Sequence, residues 1–128
     1  MRRTILILLS LLLLVVGATT RAAPPTDTKA KTKVAQIVFV GKKNACPCTK
    51  KSIDAGKKAL QAALGNKSRY RLQELNFDVD ADRKKIDELR EKQAFTALPA
   101  IYFFDGAGNV RKLLQGDITE AQVRAVLK

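Results

Sequence analysis

Histidine and tryptophan are absent from this 128-residue chain, methionine occurs once, at the first position, and cysteine only twice, as Cys46 and Cys48. Without histidine there is no imidazole to activate a serine or cysteine nucleophile, which excludes Ser-His and Cys-His catalysis. A closed structural zinc site wants four ligands, and two thiols with no histidine cannot supply them. One methionine leaves no thioether set for copper. A bridge between residues two apart closes almost no loop, so the cysteines are not a structural staple either. Aromatic residues make up 5% of the chain and fall mostly within strand-like runs. They leave no stacking platform beside a basic stripe, and nucleic acid is not an expected partner.

Acidic residues are also scarce, 12 against 24 Lys and Arg. The first 23 residues hold Arg2, Arg3 and Arg21 and no acid, so 21 basic residues still face 12 acidic ones in the remainder. The basic residues are scattered over every segment. That distribution reads as a cationic, soluble surface with some preference for acidic partners.

The N-terminus, "MRRTILILLSLLLLVVGATTRAAPP", has two arginines, an apolar run from Ile5 to Val16 broken only by Ser10, then small residues. This is the layout of a secretory signal peptide, assigned to residues 1–23. The run from Ile5 to Ala18 falls short of the ~20 residues a membrane-spanning helix needs, so no stable membrane insertion is expected once the signal is removed. "PPTDTKAKTK" follows as a flexible leader over 24–33, and one domain of ordinary size occupies 34–128. The expected location is periplasmic or secreted, where disulfides persist.

"KVAQIVFV" (33–40) reads as a buried strand ended by Gly41. Pro47 is excluded from a helix interior but fits a first turn. "CTKKSIDAGKKALQAALG" then places Ile53, Leu60, Ala63 and Leu64 on one helical face, with Gly65 as the stop. The cysteines therefore sit at a strand-to-helix junction. "RYRLQELNFDV" (69–79) predicts a second strand, and "DADRKKIDELREKQ" a second helix capped by Asp80 or Asp82. The acids of "DVDAD" lack the glycine and terminal glutamate of a calcium loop and read as helix capping. "AIYFF" (100–104) predicts a third strand, and "DGAGN" a hairpin turn into "VRKLLQ" (110–115). "TEAQVRAVLK" opens with a Thr-x-x-Gln capping box on a last helix. The order β-α-β-α-β-β-α predicts an α/β fold, a mixed four-stranded sheet flanked by helices.

That order resembles the thioredoxin superfamily over essentially all of residues 33–128, with the cysteines at the first helix N-terminus and "ALPAIYFFDGAGNVRKLLQG" near the end. The resemblance implies a thioredoxin-like fold and thiol-disulfide oxidoreductase chemistry. It implies that Pro99 is a cis-proline packed against the cysteine pair, and that Leu98 and Pro99 contact an extended substrate. Three positions depart from the family pattern: Ala45 stands where its first cysteine would be, giving a Cys-x-Cys variant, Phe39 replaces a buried strand acid, and Ala100 follows the proline.

A helix N-terminus favours a thiolate, because unpaired N–H groups and the helix dipole stabilise negative charge. Lys42, Lys43, Lys50 and Lys51 lie close in sequence and act in the same direction, with Lys50 and Pro47 as the supporting residues of the pair. Cys46, at the start of the first turn, is assigned the attacking role, and Cys48, one turn in, resolves the mixed disulfide. The small ring of a Cys-x-Cys bridge departs from preferred torsions, which makes it more easily reduced than a wider pair. Expected partners are protein thiols or disulfides, with a membrane electron donor as a further candidate, and no cofactor or resident metal is called for. Two alternatives stay open: binding or delivery of a soft ion such as copper or mercury by the two thiols, and a thioredoxin-like interaction module with no redox role.

Overall fold

The structure is a computed structural model that describes residues 33–66 and 69–128. The expected signal peptide and all but the last residue of the leader lie outside the described residues.

β1 (Val34–Gly41) is central, with β2 (Arg71–Asn76) parallel on one side and β3 (Ala100–Asp105) antiparallel on the other. β4 (Val110–Gln115) pairs antiparallel with β3, so the sheet order is β2-β1-β3-β4. The second helix thus carries the chain past β1, where β3 runs antiparallel. Both faces of β1 are covered, which is why its sequence is a nearly continuous apolar run and does not alternate. The side-chain period of two divides the core. Ile37, Phe39, Ile101 and Phe103 pack with α1 (Pro47–Leu64) and α3 (Glu120–Leu127), whereas Val38, Val40, Tyr102 and Phe104 pack with Ile86 and Leu89 of α2 (Asp80–Lys92).

The predicted inner face of α1 is buried as expected, and Gly65 ends the helix at φ +54°. The Thr119–Gln122 capping box forms in both directions. In the β3–β4 turn the Asp105 carboxylate accepts from the N–H groups of Ala107 and Asn109, both at 2.9 Å, and Gly108 takes φ +83°. None of the described helices is long and apolar enough to cross a membrane.

Two expectations need correction. β2 is shorter than 69–79 because its one neighbour, β1, ends at Gly41; the Phe77 N–H bonds the Gly41 carbonyl, and the chain then turns through a Val79 to Asn76 bond. Neither Asp80 nor Asp82 caps α2. Val79 holds the N-cap position without a side-chain bond, the Asp82 carboxylate reaches back to the Asn76 N–H at 2.8 Å, and Asp80 pairs with Arg83.

Candidate functional site: the Cys-Pro-Cys junction

The loop between β1 and α1 delivers Cys46 to the N-cap position of α1, in extended backbone (φ −61°, ψ 158°), with Pro47 as the first helical residue. Pro47 fits because the first N–H of a helix has no partner to lose. Helical bonding begins with the Lys50 N–H donating to the Cys46 carbonyl at 2.8 Å. What Lys50 contributes here is thus its backbone, and its side chain is exposed. Both thiols are free and exposed.

The Cys46 Sγ lies 3.1 Å from the Thr49 Oγ1. This hydroxyl is the main cause of a Cys46 pKa below the ordinary thiol value; the Thr49 backbone N–H adds to the effect and desolvation opposes it. No acidic residue lies in the first turn of α1, so the positive end of the helix dipole acts on the sulfur unopposed from within the turn. Sequence reasoning missed Thr49, although a hydroxyl three residues after an N-cap is well spaced to meet the cap side chain. The pH midpoint of Cys46 alkylation, measured with iodoacetamide in a Cys48→Ser background, is therefore expected to lie below that of an ordinary thiol. Thr49→Val is expected to shift it upward, and Thr49→Ser to leave it in place. An unshifted midpoint in Thr49→Val would mean that the hydroxyl does not hold the thiolate.

Asp78 is the second residue that the sequence did not reveal. Its two carboxylate oxygens accept from the Lys43 and Asn44 N–H groups, each at 2.7 Å, tying the cysteine loop to the end of β2. These bonds to the ionised form hold the Asp78 pKa below the usual carboxylate value, with the Asn44 N–H as the largest cause. A depressed folded pKa contributes stability that is fully present above the unfolded value and is lost as pH falls through the folded one. The amide proton shifts of Lys43 and Asn44 are accordingly expected to titrate together, with a midpoint below the usual carboxylate range. In Asp78→Asn that acid transition should vanish, leaving the loop tether weakened at every pH.

Leu98–Pro99 is a cis peptide, and the Pro99 carbonyl accepts from the Gly116 N–H at 2.9 Å. The proline ring meets α1 well inside the helix. It is fully buried against α1 at Gly56, where an added Cβ would lie 2.6 Å from the Pro99 Cγ. Gly56 is eight residues beyond Cys48, about 12 Å along the helix. Among the buried positions of α1, Gly56 is the one without a side chain, which leaves room for the ring. Leu98 is half-buried against the Phe95 and Tyr102 side of the core. Among the described residues its N–H and C=O have no hydrogen-bond partner. At the same end of the sheet, Phe77 stands 43% exposed, edge-on to Phe95 with ring centroids 6.3 Å apart.

Among the described residues, no group of three or more His, Cys, Asp or Glu side chains is placed to hold a metal ion. No protein-family model matches the chain, and no curated protein matches it. Solved structures do. Thioredoxin-2, a component of malaria parasite protein secretion machinery, superposes with a TM-score of 0.49 at 17% identity, over 73% of this chain and 80% of its own. StoA from Bacillus subtilis gives 0.48 at 15% identity, over 75% of this chain and 84% of its own. In its strand order, its mixed pairing and its three helices, this chain has a thioredoxin-like fold.

Proposed function

We propose that the protein is an exported thiol-disulfide oxidoreductase in which Cys46 and Cys48 alternate between dithiol and disulfide. One observation carries the reading: an exposed thiol at a helix N-cap, held toward the thiolate by the Thr49 hydroxyl, with a second exposed thiol two residues on. The Cys46 thiolate attacks one sulfur of a substrate disulfide, forming a mixed disulfide and expelling the other sulfur as a thiolate. The Cys48 thiolate then attacks the Cys46 sulfur. The second substrate thiol leaves, and a Cys46–Cys48 disulfide remains. The substrate gains two electrons and the pair loses two. Run in reverse, the same steps oxidise a substrate dithiol.

The unpartnered N–H and C=O of Leu98 suit an extended substrate segment that adds to the sheet end beside Pro99. Substrates are protein thiols or disulfides, and a membrane electron donor would complete the cycle.

The test is the equilibrium reduction potential of the pair in glutathione buffers, with Cys46→Ser and Cys48→Ser as controls. The expected result is a single two-electron transition, absent from both variants, with a potential more oxidising than wider Cys-x-x-Cys pairs of reducing proteins. If no intramolecular disulfide forms across the buffer range, the redox reading fails.

A further inference from the structure

Part of the surplus of positive charge, which the redox reading leaves unused, gathers around a cavity at the end of the sheet opposite the cysteines. β1 runs from Val34 at that end to Gly41 at the cysteine end, about 26 Å for eight extended residues. A cavity of about 240 Å³ opens there, lined by Lys33, Arg69, Tyr70, Arg111 and Lys128 among others. These residues come from four segments distant in sequence: the entry to β1, the entry to β2, strand β4 and the end of α3. Arg69 and Tyr70 also line an adjoining cavity of about 540 Å³ with Arg71.

The ion pairs among the described residues are Lys57–Glu74, Arg83–Asp80 and Arg124–Glu120, all elsewhere. Lys33, Arg69 and Arg111 join no such pair, nor does any of them pair with the terminal carboxylate. The one side-chain carboxylate near them, Asp105 in the larger cavity, is turned into its own β-turn by the N–H groups of Ala107 and Asn109. Like charges brought together from separate elements repel one another, and a bound anion relieves that repulsion. Arg69 is also held in place: its Nη2 donates to the Tyr70 hydroxyl at 2.7 Å, and its guanidinium lies 4.9 Å from the centre of the Tyr70 ring. A guanidinium fixed in this way presents its remaining donors as a fork that matches phosphate oxygens.

We propose that this concavity binds an oxyanion of the phosphate class through Arg69 and Arg111, with Lys33 and the Tyr70 hydroxyl completing the shell. The same chemistry fits a free phosphate compound or the headgroup of an anionic lipid. The site is independent of the cysteines, so its failure would leave the redox reading intact.

The test uses the full chain at low ionic strength, with pyrophosphate in one calorimetric titration and phosphatidylglycerol vesicles, against phosphatidylcholine vesicles, in a sedimentation assay. Neutral vesicles report any contribution from the apolar N-terminal run. The expected result is saturable binding of pyrophosphate or a preference for anionic vesicles, weakened at least tenfold by Arg69→Ala with Arg111→Ala, unchanged by Arg83→Ala, and retained in part by Arg111→Lys. Pyrophosphate binding alone would assign the site to soluble phosphates, and vesicle preference alone to lipid headgroups. The proposal is overturned if the wild-type chain shows neither, or if Arg83→Ala weakens binding as much as the double variant.

Discussion

Cys46→Ser is expected to abolish disulfide exchange, while Cys48→Ser is expected to stall it with substrate covalently attached. The asymmetry follows from the two positions. Cys46 is the N-cap, where its sulfur meets the Thr49 hydroxyl and the open end of α1. A thiolate there is both populated and accessible, and exchange rates follow the thiolate fraction and access of the attacking sulfur. With serine at 46 the rate should fall by at least about two orders of magnitude, to the level of an unassisted thiol. With serine at 48 the first step survives and the second has no nucleophile, so a mixed disulfide accumulates. Non-reducing electrophoresis and mass spectrometry of both variants, incubated with a disulfide-bonded protein, read the two outcomes directly. If the adduct accumulates on Cys48 in Cys46→Ser, the roles are exchanged and the Thr49 contact does not select the attacking thiol.

Local patterns revealed local structure here, and tertiary choices stayed hidden. The strand at 34–41 was legible because burial on both faces forces an apolar run, and α3 because Thr119 and Gln122 cap each other within one turn. The element order and the thioredoxin-like sheet followed from those elements and from the turn at Asp105–Asn109. Asp78 was misread because an aspartate before a helix ordinarily caps it. Here its carboxylate serves backbone 34 and 35 residues away, an engagement that no short window of sequence contains. The same holds for the convergence of Lys33, Arg69 and Arg111, whose charges looked scattered because they are scattered along the chain. The neighbour of Pro99 was illegible for a related reason. That its ring meets α1 at Gly56, the buried position of that helix without a side chain, is a contact between segments far apart in sequence.

Gly56 makes that contact testable, and substituting it is expected to lower stability even though it improves the helix. Alanine in a helix interior is favoured over glycine by about 1 kcal/mol. At this position, however, the new Cβ would lie 2.6 Å from the Pro99 Cγ and 3.9 Å from the Ile118 Cβ. The proline ring is rigid and fully buried, so relief must come from moving the 96–99 segment. That segment is fastened at three points: the Gln115 Oε1 accepts from the Thr96 and Ala97 N–H groups, and the Gly116 N–H donates to the Pro99 carbonyl. Overpacking of a filled core costs about 1–3 kcal/mol, enough to outweigh the propensity gain. Gly56→Ala is thus expected to reduce the unfolding free energy in urea by about 1 kcal/mol, and Gly56→Val by more, since branching adds bulk and is less favoured in a helix. A stabilised Gly56→Ala would mean that the proline segment yields freely. The same variant separates packing from chemistry. The proline contact lies about two turns from Cys48, so the pH midpoint of Cys46 alkylation should be the same in folded Gly56→Ala as in the wild type. A shifted midpoint would show that Pro99 acts on the thiols through the helix it presses against.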